Sequence, residues 1–165
     1  MTSAELTLKD LYPQLSHVTC ITHLIHNCAM QVAAKFPCID NVIATVKACT
    51  VKNRSRRLLF SDISQPPHPI LTRWGSWLEA AFWYADNLPA VRNIFETMEG
   101  HGILVSRAKE ALSKDELTQQ LVDILQYRKL GELVHQCESS HYTIAQAMND
   151  LQEIEFREDP CEIKE

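Results

Sequence analysis

Apolar residues recur at steps of three and four along most of this chain, and that spacing restricts its fold more than any other feature. The pattern begins at Ile21, resumes after Pro37 and returns after residues 62–71, whose three prolines require an extended course. The 165 residues include only 4 glycines, which argues against the many tight turns of an all-β protein. The sequence therefore predicts a mainly α-helical fold.

The same spacing predicts where the individual helices lie. They are expected over residues 3–11, 21–36, 38–51, 54–61, 74–88, 91–98, 103–113, 115–137 and 140–156. Pro89 is expected to break the aromatic helix in two, because proline has no N–H and its ring clashes with the preceding turn. Ser113 and Ser139 or Ser140 are candidate helix caps. Residues 15–20 alternate in polarity and are predicted to form one short strand.

Composition and charge are those of an ordinary globular chain. Apolar residues make up 45% of it and charged residues 22%, so general disorder is excluded. The sequence shows neither a long apolar span nor a secretory leader, and we expect a soluble, intracellular protein with reduced cysteines. The net charge of −5 means that any affinity for phosphate must be local.

Positive charge is concentrated between residues 40 and 62, where no acidic residue intervenes. The basic residues of this stretch are Lys47, Lys52, Arg54, Arg56 and Arg57. The run from Lys52 to Arg57 is a candidate for contact with nucleic-acid phosphates or for a nuclear import signal. A solvated helix face is an equal alternative for such a run.

Arg73 and Trp74 follow the proline-rich residues and form a second candidate site. Arginine offers a planar fork for phosphate, and the indole beside it offers a face on which a base can stack. The alternative is that Trp74 and Trp77 both belong to the core of an amphipathic helix. If that helix instead buries the face of Leu78 and Phe82, Trp74 remains partly open.

Cys20 and His23 lie where the predicted strand passes into a helix, with His26 and Cys28 following. Thiolate and imidazole can hold zinc, but the second ligand pair that structural zinc sites use is missing. We therefore predict structural roles for Cys20 and His23, with no metal and no cofactor. Glycine-rich phosphate loops, nucleophile motifs and clustered carboxylates are also absent from the sequence, and no catalytic residue is assigned.

In their order and spacing, these motifs resemble the hAT family of DNA transposases over residues 8–155. The matching residues are Leu11-Tyr12-Pro13-Gln14-Leu15, His17-Val18-Thr19-Cys20, His23, Lys47, Pro66-Pro67, Pro69 and Thr72-Arg73-Trp74-Gly75-Ser76-Trp77. The resemblance implies that Cys20 and His23 follow a late strand of a ribonuclease-H-like core. It also implies that Arg73 and Trp74 lie in a helical domain inserted into that core, where the tryptophan stacks on a flipped base.

The family cuts DNA with two aspartates and a glutamate that hold divalent metal, and none of the three has a counterpart here. Both aspartates would precede Cys20, and the glutamate would follow the insertion domain. We therefore expect a truncated or domesticated transposase-derived protein that is catalytically inactive and binds nucleic acid through the Arg-Trp segment. The alternative is a helical protein–protein interaction module that does not bind DNA.

The resemblance also divides the chain. Residues 1–61 are expected to be a remnant of the ribonuclease-H-like core with the helices that follow it. Residues 62–156 are expected to be a segment of the helical insertion domain, and residues 157–165 a tail. The expected partners are DNA, further copies of the chain or a full-length transposase, with no membrane. The nucleus is the expected compartment, and the cytoplasm otherwise.

Overall fold

The computed structural model describes residues 21–70, 74–98, 102–137 and 142–153. Every regular element within these ranges is helical, which confirms the mainly α-helical prediction. The helices are α1 (Ile21–Ala34), α2 (Pro37–Thr50), α3 (Arg54–Leu58), α4 (Trp74–Thr97), α5 (Ile103–Leu112), α6 (Asp115–Asp123), α7 (Arg128–Cys137) and α8 (Ile144–Glu153). A 3₁₀ turn, Ile124–Tyr127, joins α6 to α7. The predicted helix over residues 3–11, the predicted strand over 15–20 and the tail all lie outside the described residues.

The predicted apolar face of α2 is the face that the structure buries. Ile39, Val42, Val46 and Cys49 are each at most 1% exposed, and they follow one another at steps of three and four. Pro37 occupies the first position of this helix, where its missing N–H costs no hydrogen bond. The apolar spacing and the position of Pro37 therefore predicted both the start of α2 and its buried side correctly.

Helix α4 is the centre of the fold. It packs against α1, α2, α5, α6 and α7, and its side chains Leu78, Ala81, Val91 and Phe95 are fully or almost fully buried. The rings of Phe60 and Phe95 pack edge to face with centroids 6.3 Å apart, so the chain just after α3 also packs against this helix. None of the described helices is both long enough and apolar enough to cross a membrane.

The expected break at Pro89 is wrong, because α4 continues through it from Trp74 to Thr97. Leu88 and Val91 are buried on either side of the proline, and Pro89 itself is exposed. A break at Pro89 would take the half of the helix that carries Leu88 or the half that carries Val91 out of the core. Tertiary packing therefore outweighs the local cost of an interior proline, which is about 3 kcal/mol.

We expect Pro89→Ala to stabilise the protein. Alanine restores the N–H donor to the helical hydrogen bond with the Ala85 carbonyl, and part of this gain is offset because the unfolded chain becomes more flexible. The expected net increase in the free energy of unfolding is about 2 kcal/mol, measured by urea denaturation. Glu79→Ala, at an exposed position of the same helix, is the control and should change stability by about 0.5 kcal/mol or less. A lower urea midpoint for Pro89→Ala would contradict the prediction.

One predicted cap and one predicted helix differ from the structure. Ser113 closes α5, where its hydroxyl donates to the Glu110 carbonyl at 2.9 Å, and does not begin α6. The predicted helix over 115–137 is interrupted by the 3₁₀ turn, which buries Ile124. Ser139 and Ser140 lie outside the described residues. The cap of α8 is a capping box in which Thr143 Oγ1 accepts from the Gln146 N–H at 3.3 Å.

Candidate nucleic-acid interface

The basic residues predicted to contact phosphate surround the short helix α3. Asn53 begins this helix, because its side-chain oxygen accepts from the Arg56 N–H at 3.0 Å. Lys52, Arg54 and Arg57 are exposed, and none of them pairs with a carboxylate among the residues that the structure describes. We call these three residues the basic surface. Among the described residues no carboxylate offsets their positive charge, which favours the binding of an anion.

Arg56 differs from its neighbours. It is half-buried, and its Nη1 donates to the Cys49 carbonyl at 3.4 Å, in the last turn of α2. A cation at the C-terminal end of a helix interacts favourably with the helix dipole and satisfies a carbonyl that lacks a helical partner. The structure thus gives Arg56 a structural role in addition to its predicted contact with nucleic acid.

Residues 62–70, which we call the proline segment, are attached to α2 and α3 by side-chain hydrogen bonds. Lys47 Nζ on α2 donates to the Pro69 carbonyl at 2.9 Å. Gln65 Nε2 donates to the Arg57 carbonyl on α3 at 2.7 Å. The proline segment therefore lies directly against the helices that carry the positive charge.

The start of the proline segment is also held by α4. Ser64 has a φ of 67°, a left-handed conformation that costs a residue with a side chain about 1 kcal/mol. Its hydroxyl accepts from Trp83 Nε1 at 2.9 Å, which fixes the turn against the helix. At the other end, Ser76 Oγ accepts from the Ile70 N–H at 2.9 Å in the first turn of α4. The segment is thus fastened at both ends as well as in its middle.

His68 lies within the electrostatic reach of two cations. The side chain is exposed overall, but partial desolvation of its imidazole lowers the pKa, and the positive charges of Lys47 and Arg57 lower that pKa further. These contributions place His68, on the proline segment, near cations of both α2 and α3. Sequence analysis did not single out His68, since the contact joins distant residues and has no periodic signal.

Arg73 lies outside the described residues, and so does the side chain of Trp74, the residue at which α4 begins. The aromatic residues that follow can be placed. Trp77 and Tyr84 are 4% and 1% exposed, whereas Phe82 is only partly buried. The condition for an open Trp74 is therefore not met: Leu78 is fully buried, but Phe82 is not, and Trp77 belongs to the core as the alternative had it.

Three residues of the Thr72–Trp77 motif have structural roles. Gly75 is buried, and a Cβ added to it would lie 2.4 Å from Val134 Cγ1 on α7. Ser76 holds the proline segment, and Trp77 Nε1 donates to Asp40 Oδ1 on α2 at 3.0 Å. These contacts position the start of α4 between α2, α7 and the proline segment.

The predicted Cys-His motif is described only in part. Cys20 lies outside the described residues, and His23 is exposed on α1. No group of three histidine, cysteine, aspartate or glutamate side chains suited to a metal occurs in the described ranges. Two further thiols, Cys38 and Cys49, are buried, and burial raises the pKa of each. Structural roles for Cys20 and His23 stay a prediction.

Comparison with protein-family models, with curated proteins and with solved structures finds no match for this chain.

Proposed function

We propose that this chain is a transposase-derived protein without nuclease activity that binds nucleic acid through the basic surface and the adjoining Arg73-Trp74 pair. One observation supports the proposal: the hydrogen bond from Lys47 Nζ to the Pro69 carbonyl, 2.9 Å long, holds the end of the proline segment against α2, while Gln65 holds its start against α3. Through these bonds, the segment that leads to Arg73 is attached beside the cations of α3. Residues that are scattered along the sequence can then contact one ligand.

Two physical contributions support this binding mode. Unpaired surface cations release condensed counterions when they meet phosphates, which makes the affinity depend on salt. An aromatic ring next to them adds base stacking, worth about 1–3 kcal/mol per base and nearly independent of sequence. The combination favours single-stranded or hairpin-ended DNA, in which bases are accessible.

The test is the salt dependence of DNA binding. We expect the variant Lys52→Gln, Arg54→Gln, Arg57→Gln to bind hairpin-ended DNA about 100-fold more weakly at low salt, and to lower the slope of log affinity against log salt by about 0.9 for each lost contact. The matched control is Arg107→Gln, Lys114→Gln, Lys129→Gln, which removes the same charge from exposed positions elsewhere. Equal losses in both variants would show that only net charge matters and would contradict the proposed interface.

The stacking contribution is tested separately. The variant Trp77→Phe, Trp83→Phe, which keeps Trp74 as its only tryptophan and most of the core packing, is titrated with single-stranded and hairpin DNA while its fluorescence is followed. We expect quenching on binding, and a loss of affinity of about 10- to 100-fold for Trp74→Ala. Absence of quenching at any DNA concentration would remove Trp74 from the interface.

The lowered pKa of His68 predicts a pH dependence of this binding. Because the pKa lies below its usual value near 6.5, His68 is neutral in the free protein at pH 7, and acidification adds a positive charge beside Arg57. DNA affinity should therefore rise as the pH falls below about 6.5, and His68→Asn should flatten that rise. The stability of the free protein should change in the opposite sense, because the unfolded chain binds this proton more readily. Equal pH profiles of DNA affinity for the unsubstituted protein and for His68→Asn would contradict this role of His68.

Several further assignments belong to the same proposal. Residues 1–61 would be the remnant of a ribonuclease-H-like core, and residues 62–156 a segment of its helical insertion. Further copies of the chain or a full-length transposase would be protein partners, and the basic stretch would direct the chain to the nucleus. Fluorescence microscopy of the tagged chain, compared with its triple glutamine variant, tests that localisation.

A second candidate function, a helical interaction module, is favoured by the apolar side chains that the structure leaves in solvent. Ile103 is 72% exposed, Leu58 64% and Val122 59%. Apolar side chains that form a contiguous exposed patch mark protein interfaces, whereas single ones are ordinary on a protein surface, so self-association is the property to measure. Self-association measured by light scattering, reduced in Ile103→Ser and unaffected by DNA, would favour this function over the first.

A further inference from the structure

Ser55 lies in the middle of the basic surface. It is exposed in the first turn of α3, between Lys52 and Arg54 on one side and Arg56 and Arg57 on the other. No acidic residue occurs in the sequence between Asp40 and Asp62, so nothing near it in the chain offsets those cations. A hydroxyl flanked by cations on both sides is complementary to an enzyme whose peptide groove is acidic.

We propose that Ser55 is a phosphate-acceptor site for a protein kinase that selects basic substrates, and that the phosphate added there cancels the basic surface. The modification itself depends only on the exposure and surroundings of Ser55. Its consequence for DNA binding rests on the proposed function. Phosphorylation of Ser55 would then switch nucleic-acid binding off, and removal of the phosphate would restore it.

The local structure around Ser55 allows a kinase to reach it. A kinase binds its substrate as an extended peptide, so α3 must open. None of the five residues of α3 is buried, and Leu58 and Leu59 are already 64% and 47% exposed. Opening α3 therefore uncovers little apolar surface and breaks few contacts. Phe60, fully buried against Phe95, keeps the opening from spreading into the core.

The chemical step is an ordinary phosphoryl transfer from magnesium ATP. The Ser55 oxygen attacks the γ-phosphorus, and the bond from that phosphorus to the β,γ-bridging oxygen breaks. ADP leaves, and the hydroxyl proton passes to the carboxylate base of the kinase. No oxidant or further co-reactant is needed.

The electrostatic consequence follows from the added charge. A phosphoserine carries about −1.5 to −2 charges at pH 7. Lys52, Arg54 and Arg57 together carry three positive charges, so the phosphate cancels half of them or more. We expect the salt slope of DNA binding to fall by about 2 and the affinity at low salt by about 10- to 100-fold.

The experiment treats the full chain with magnesium ATP and the catalytic subunit of a kinase with basic specificity, followed by peptide mass spectrometry. We expect one phosphate per chain, located on Ser55 and lost in Ser55→Ala. The matched control is Ser106→Ala, which should still take up one phosphate on Ser55. Ser106 is also exposed and precedes an arginine, but it lies in a helix with buried residues. A synthetic peptide of residues 49–61 reports the rate of phosphorylation when the folded structure is absent. Phosphorylation of the peptide but not of the folded chain would overturn the proposal.

Binding is then measured on two polyanions, heparin and hairpin-ended DNA, with the phosphorylated chain, Ser55→Asp and Ser55→Ala. We expect elution from immobilised heparin at clearly lower salt for the phosphorylated chain, at slightly lower salt for Ser55→Asp, and at unchanged salt for Ser55→Ala. Unchanged heparin elution would overturn the proposal. If phosphorylation weakens heparin binding but neither form of the chain binds DNA, the result supports the modification and contradicts the proposed function.

Discussion

Replacing Trp77 by alanine is expected to lower the free energy of unfolding by about 3–5 kcal/mol, the usual cost of removing a buried aromatic side chain. The Trp77 ring is 4% exposed and packs within the core that α4 organises. Its Nε1 also donates to Asp40 Oδ1 at 3.0 Å, which links α4 to the first turn of α2. The substitution therefore removes packing and an inter-helix hydrogen bond together.

Two further variants separate these contributions in urea denaturation. Trp77→Phe keeps most of the ring and loses the bond, and it should cost about 1–2 kcal/mol because the acceptor, Asp40, remains accessible to water. Trp83→Ala is the matched control, since Trp83 also donates from Nε1 but is only half-buried. It should cost clearly less than Trp77→Ala. Equal losses at the two positions would mean that burial of Trp77 does not contribute as the structure indicates.

The helices were the most predictable part of this protein, because helical burial leaves a periodic trace in the sequence. In α2 the spacing of Ile39, Val42 and Val46 predicted the buried face, and Pro37 predicted the start. Pro89 shows the limit of such rules. Its effect depends on whether core residues lie on both sides of it, and local sequence does not contain that information.

The candidate interface was predictable only as separate pieces. The basic run is visible in the sequence, since Lys52, Arg54 and Arg57 lie close together without an intervening acid. The bond that joins Lys47 to the Pro69 carbonyl links residues 22 positions apart, and a side-chain-to-backbone contact leaves no periodic trace. The role of Arg56 at the end of α2 was hidden for the same reason.

The Thr72–Trp77 motif divides into two kinds of residue. Gly75, Ser76 and Trp77 each make a contact that positions α4, so their presence has a structural explanation. Arg73 and Trp74 precede them and carry the chemistry suited to phosphate and base. Under the proposed function, a variant at Trp77 weakens DNA binding only through loss of folded protein, whereas Trp74→Ala removes the proposed stacking contact itself.

Gly75 provides the second large effect. A Cβ at this position would lie 2.4 Å from Val134 Cγ1, far inside van der Waals contact. Val134 is 2% exposed, and its β-branched side chain has few alternative rotamers, so α4 and α7 must separate to admit a methyl group. We expect Gly75→Ala to lower the free energy of unfolding by about 1–3 kcal/mol through overpacking, even though alanine favours helix.

A glycine one turn before Val134 on α7 supplies the control for this prediction. A Cβ on Gly131 would lie 2.7 Å from Phe82 Cε2, but that ring is partly exposed and can shift. Gly131→Ala should therefore cost little, since the helix propensity of alanine offsets the crowding by up to about 1 kcal/mol. The double variant Gly75→Ala, Val134→Ala should recover part of the loss, because the smaller side chain makes room for the new methyl group. If its loss equals the sum of the two single losses, the close approach of α4 and α7 at Gly75 does not exist in solution.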